Sequence, residues 1–128
     1  MISRIDHLVI TVRSLEETCA FYERVLQFER RDTPGKPTSL NFGNCKLNVH
    51  EVGHTFEPKA HNPTTGSGDF CLITEEPIEI ILNHLRRQGV PVEEGPVERK
   101  GAMGPMISVY FRDPDQNLVE VSTYLQAD

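Results

Sequence analysis

Residues 108–124 read Ser108-Val-Tyr-Phe-Arg-Asp-Pro-Asp-Gln-Asn-Leu-Val-Glu-Val-Ser-Thr-Tyr124. Two apolar runs rich in β-branched and aromatic residues flank Asp113-Pro-Asp-Gln-Asn117, where proline pre-sets a turn and Asp and Asn tolerate its backbone angles. The stretch predicts strand, turn and antiparallel strand. Side chains alternate along a strand, so Val119, Val121 and Thr123 take one face and Leu118, Glu120 and Ser122 the other. Glu120 thus stands inside a sheet strand, where a carboxylate is costly unless something pairs with it.

Working outward, the same alternation recurs. Residues 5–12 predict a first strand with Leu8, Ile10 and Val12 on one face and His7, Val9 and Thr11 on the other. Ser14-Leu-Glu-Glu17 fits a capping box, and Leu15, Cys19, Tyr22, Val25 and Leu26 then fall at helical spacing until about Gln27. Short strands are expected at 28–32, 38–42 and 46–52, the last two joined by the tight turn Gly43-Asn44. In the last of these, Leu47 and Val49 form the apolar face, while Asn48 and His50 look the opposite way.

Residues 53–68 are polar and rich in Gly and Pro, and they carry His54, Phe56, Lys59 and His61. They read as a connection long enough to hint at a role of its own, with both histidines at the surface. The pattern then restarts. Asp69-Phe-Cys-Leu-Ile-Thr74 repeats the first strand, and Asp69 falls where His7 stood. Pro77 opens a second helix with Ile78, Ile81, Leu82 and Leu85 as its stripe; shifted by 63 residues, that stripe lands on Leu15, Thr18, Cys19 and Tyr22. Gly89-Val-Pro91 ends it. A short strand near Val92 and a loop from Arg99 to Met106, read as a flap presenting Arg99 and Lys100, lead back to the hairpin. Each half is therefore strand, helix, three strands, and two such halves can pair their sheets about a cleft. Four strands agree in parity: apolar toward a helix, and polar at His7, Asn48 with His50, Asp69 and Glu120 on the opposite face.

Composition narrows the partners. The chain of 128 residues suits one compact domain, and its formal net charge of -6 disfavours nucleic acid and anionic membranes, leaving small molecules or proteins. No apolar run reaches membrane-spanning length and no secretory leader is recognisable, so a cytoplasmic location is expected. Cys19, Cys45 and Cys71 are odd in number and widely spaced, which suggests neither a disulfide framework nor a cysteine zinc site; they read as reduced, buried apolar side chains. No nucleophile pattern with adjacent His and Asp is found, and no phosphate-cradling glycine loop.

The Asp6-His-Leu-Val-Ile-Thr-Val12 opening, Phe21-Tyr22, and Phe111-Arg-Asp-Pro-Asp-Gln-Asn-Leu-Val-Glu-Val121 together resemble the signatures of the vicinal oxygen chelate superfamily. That superfamily includes glyoxalase I, extradiol dioxygenases, fosfomycin-resistance thiol transferases and metal-free bleomycin-binding proteins. Lys46-Leu-Asn-Val-His-Glu-Val52, Phe56-Glu-Pro-Lys-Ala60 and Glu93-Glu-Gly-Pro-Val97 further resemble the glyoxalase domain-containing protein 5 group and its bacterial relatives.

The resemblance implies an α+β fold, one domain over 1–128, in which paired βαβββ modules form a cupped mixed β-sheet with flanking helices. Module one spans 1–52, the linker 53–68 and module two 69–128. It further implies a divalent ion, Zn, Ni, Mn, Fe or Mg, held by His7 and Glu120, with Asp69 at a position that is generally His. A fourth ligand comes from either Asn48 or His50, and the sequence leaves both open; imidazole is the better donor. Glu120 is also the expected catalytic residue, and Asn48, Arg99 and Lys100 are expected to contact substrate. The implied activity is that of a lyase, isomerase or transferase acting on a small oxygenated molecule in a homodimer. The alternative is a metal-free protein that binds and sequesters a drug or metabolite. Asp69 is equally well read as a hydrogen-bond acceptor in its turn, and Glu120 as a partner of Arg112.

Overall fold

The computed structural model describes residues 1–126. Its elements run β1 (His7–Val12), α1 (Leu15–Leu26), β2 (Glu29–Arg31), β3 (Thr38–Phe42), β4 (Cys45–Glu51), β5 (Asp69–Ile73), α2 (Ile78–Arg87), β6 (Glu94–Gly101), β7 (Gly104–Arg112) and β8 (Leu118–Tyr124). The βαβββ pattern thus occurs twice. Contacts divide the chain into two units, Met1–Ser67 with Pro114–Gln116, and Gly68–Asp113 with the segment from Asn117 onward.

In the first unit the sheet runs β1-β4-β3-β2, with β1 parallel to β4 and the rest antiparallel. Ser14 caps α1 by accepting the Glu17 N–H at 3.2 Å, and Gln27, at φ 59, ends it in the left-handed conformation. Val12, Cys19, Tyr22, Val25, Leu40 and Leu47 are buried together as the core. Burial pushes the Cys19 thiol up to about 11, as expected of a cysteine serving as an apolar side chain. Cys45 is half-buried and Cys71 exposed, so the expectation that all three are buried holds for Cys19 alone.

Asp115 ties the hairpin turn into this unit. Its buried carboxylate accepts the Arg13 backbone N–H at 3.1 Å and Arg13 Nε at 2.8 Å. Because the Arg13 side chain is 65% exposed, its guanidinium rehydrates if the carboxylate is lost, but the buried Thr18 hydroxyl, which reaches Asp115 Oδ2 at 3.5 Å, does not readily do so. Asp115→Ala is therefore expected to cost about 2 kcal/mol, near the penalty for orphaning a buried donor rather than that for breaking a buried ion pair. Urea denaturation of the two proteins measures it.

The second unit repeats the arrangement as β5-β8-β7-β6, with β5 parallel to β8. Val109, Phe111, Val119 and Val121 are buried on one face, and Ile78, Leu85 and Val90 are buried with them. The parity read from the hairpin is the one observed. Two strands replace the expected flap: β6 and β7 pair from Arg99↔Met106 to Gly101↔Gly104, with Ala102-Met103 as the turn. Gly101, Gly104 and Pro105 suggested a loop because they are poor strand formers, but at a hairpin tip they are where such residues belong. Among the described residues no helix is long and apolar enough to cross a membrane.

Candidate functional site

In the second unit, the face of the sheet carrying Glu120 is a connected polar surface. Glu120 stands opposite Tyr110 across the antiparallel pair and beside Cys71 on the parallel side. Ser122 donates to Glu120 Oε2 at 3.2 Å; its own oxygen lies 2.6 Å from Ser108 Oγ and 3.2 Å from Cys71 Sγ. Although Cys71 as a residue is exposed, partial desolvation of its thiol on this face, with Glu120 nearby, raises its pKa, whereas Ser122 works against the shift.

Arg99 Nε donates to the Tyr110 hydroxyl at 2.9 Å. With its lone pair so engaged, the phenol directs its own proton to Glu120, a bond that together with burial raises the Tyr110 pKa while Arg99 opposes the rise. The rest of the guanidinium reaches Glu94 Oε1 at 3.1 Å and the Glu98 carbonyl at 3.2 Å. Arg99 therefore positions Tyr110 with its charge largely matched by Glu94. Lys100 follows it in the strand, leaves on the opposite face and is exposed. Arg112 does not hold Glu120: it pairs with Glu93 at 2.9 and 3.0 Å. Asp69, beside Leu118, lies one side-chain position from Glu120 on the neighbouring strand and shares its face.

The first unit carries the matching set. His7 stands beside Lys46, so Asn48 bears to His7 the relation that Glu120 bears to Asp69. His50, beside Thr11, occupies the place of Ser122. The register thus gives Asn48 as the counterpart of Glu120 and puts His50 one position deeper. His7 Nδ1 lies 2.9 Å from Asp6 Oδ1. A carboxylate only accepts, so Nδ1 is the donor and Nε2 is turned away from Asp6, the orientation of a metal-binding histidine steered by an acid. The hydrogen bond to His7 is also the main reason the Asp6 carboxyl titrates low. His50 is buried, with its ring 5.5 Å from that of Phe56; burial and then the charge of Lys59 lower its pKa and keep it neutral. His54 and His61 are exposed, as their polar surroundings suggested.

Among the described residues, no three His, Cys, Asp or Glu side chains stand together so as to hold one ion. The donors that are present suit a divalent cation in kind: an oriented imidazole in one unit and a carboxylate steadied by two hydroxyl groups in the other. Tyr110, Ser108, Ser122 and Asp6 were not recognised as site residues from the sequence. Tyr110 was accessible to it, since a hairpin centred on Asp115 sets residues 110 and 120 opposite each other.

The sequence matches the description Glyoxalase/Bleomycin resistance protein/Dioxygenase superfamily over residues 4–121. It is 46% identical over 125 residues to virulence protein STM3117 of Salmonella typhimurium, spanning 98% of this chain and 87% of that protein. The crystal structure of STM3117 matches with a TM-score of 0.95, covering 98% of this chain and 99% of that one. The glyoxalase domain-containing protein RDO1 of Mycosarcoma maydis is 45% identical over 127 residues, 96% of this chain and 69% of that protein. An integron cassette protein from the mobile metagenome of V. cholerae, VCH_CASS1, is 47% identical with a TM-score of 0.94 over 98% of each chain. With a family match over nearly its whole length and relatives close to half identical, this chain belongs to the Glyoxalase/Bleomycin resistance protein/Dioxygenase superfamily.

Proposed function

We propose that the protein is a divalent-metal-dependent enzyme of the glyoxalase-like type, a lyase, isomerase or transferase acting on a small oxygenated molecule, and that it works as a homodimer. The observation that carries this reading is the Arg99–Tyr110–Glu120 chain: two side chains from two strands are spent on aiming the carboxylate of a third. His7 receives comparable steering from Asp6. In this reading His7, Asp69 and Glu120 hold the ion, Asn48 contacts the substrate, and the ion supplies Lewis acidity toward two neighbouring substrate oxygens. Glu120 is fixed, with Tyr110 and Ser122 holding it from two sides, and Lys100 adds positive charge at the surface.

In this reading a second copy packs against the edge strands. β1 and β5 each form one edge of their sheets, and β1 with its lead-in exposes Ile5 at 66%, Leu8 at 42% and Val9 at 49%, while β5 exposes Ile73 at 50%. Apolar edge strands of this kind invite pairing and are normally covered. Elemental analysis and light scattering on protein purified without chelator test the proposal. The expected result is a dimer with about one ion per chain, the stoichiometry of a single coordination site. A protein that stays metal-free when Zn, Ni, Mn, Fe(II) and Mg are each supplied sinks it. The second reading is a metal-free protein that binds a drug or metabolite, and it is favoured by the buried polar face of β4, where His50 packs against Phe56. That reading expects ligand-induced stabilisation indifferent to chelator.

A further inference from the structure

On the polar face of β4, two buried atoms have no hydrogen-bond partner: Asn48 Oδ1 and His50 Nδ1. They belong to side chains two residues apart on one strand and therefore on one face. The His50 residue is only 4% exposed. Buried Ser39 lies across from Asn48 and buried Thr11 beside His50, yet among the described residues neither hydroxyl bonds to Asn48 Oδ1 or His50 Nδ1. A buried polar atom left unpaired costs stability, and two together are a standing cost that a satisfied core would not carry.

We propose that Asn48 and His50, walled by Phe56, form a recognition site for an uncharged planar molecule presenting an amide edge. Asn48 Oδ1 accepts only, so the ligand brings an N–H. The neutral imidazole nitrogen is met by the C=O or the second N–H of a primary amide, whichever its tautomer requires. The Phe56 ring, 5.5 Å from the imidazole, gives a flat apolar wall for the body of the ligand. A cation is disfavoured by burial and by Lys59, and an anion by the carbonyl oxygen of Asn48. Phe56 and Lys59 both come from the long connection after β4, which gives that segment a purpose. The inference rests on the small-molecule part of the reading above and not on the ion.

The test uses the full chain in EDTA, with benzamide as the probe and N,N-dimethylbenzamide, which lacks the N–H, as its control, each titrated by NMR and followed at the His50 ring. Benzamide is expected to bind saturably at millimolar concentration, and the control about tenfold more weakly, the worth of one hydrogen bond. Asn48→Leu and His50→Phe are expected to weaken benzamide by about the same factor while keeping or raising the melting temperature, because each removes an unpaired polar atom. Absent benzamide binding, equal binding of the two probes, or a melting temperature several degrees lower in both variants overturns the proposal. Since chelator is present throughout, its failure says nothing against the ion, and loss of the ion says nothing against it.

Discussion

Replacing Glu120 by Gln is expected to lower divalent-ion affinity more than 100-fold, and turnover with it, while changing stability by less than about 1 kcal/mol. The asymmetry follows from what surrounds the side chain. Gln keeps the shape; its carbonyl oxygen still accepts from the Tyr110 hydroxyl while its amide donates to the Ser122 oxygen, so the face stays packed. What disappears is the negative charge, which a hard or borderline cation needs more than it needs the shape. Tyr110→Phe is the companion variant: it leaves the carboxylate in place but releases one of the groups that aim it, so about a tenfold loss is expected, within the range for residues that orient a ligand. Isothermal titration with the ion found by elemental analysis, together with circular-dichroism melts, separates the effects. A Glu120→Gln protein that binds the ion as the parent does removes Glu120 from the metal site.

The extent to which this arrangement was legible in the sequence depended on how local each feature is. The 113–117 turn and the strands about it are set by proline, aspartate, asparagine and β-branched residues acting on near neighbours, and they were readable with their parity. The duplication was readable because both helices carry the same stripe. The choice between Asn48 and His50 was not, because it depends on where the crossover through α1 sets β1 against β4; a shift of two residues preserves every apolar position and exchanges the two side chains. The β6–β7 hairpin was missed for a related reason. Glycine and proline near residues 101–105 look the same in a flexible loop and at a hairpin tip, and only the pairing with β8 distinguishes them. Arg99 was noticed for its charge, but its role follows from Tyr110 and Glu94, which the sequence does not place beside it.

That placement depends on Gly95, whose substitution is expected to have the largest effect on the fold. The β6–β7 register shifts between Glu94 and Val97, so β6 accommodates one extra residue before Arg99 pairs with Met106 of β7. Gly95 sits in the bulge at φ 114, in the region open almost solely to glycine. A Cβ there would fall 2.5 Å from the Ser108 carbonyl oxygen and 2.9 Å from Val109 Cα, and both obstacles are backbone. Neither yields by a side-chain rotation, so Gly95→Ala combines the unfavourable φ with a displaced strand, and a loss of about 3–4 kcal/mol is expected in urea denaturation. The displaced strand is the one that carries Glu94 and Arg99 to Tyr110. Ion affinity of the fraction that remains folded is therefore expected to fall toward that of Tyr110→Phe, whereas Asp115→Ala, which strains a different part of the chain, leaves it unchanged. If Gly95→Ala were as stable as the parent, β6 would have to pair with β7 in another register, and the path from Arg99 to Glu120 would be lost with it.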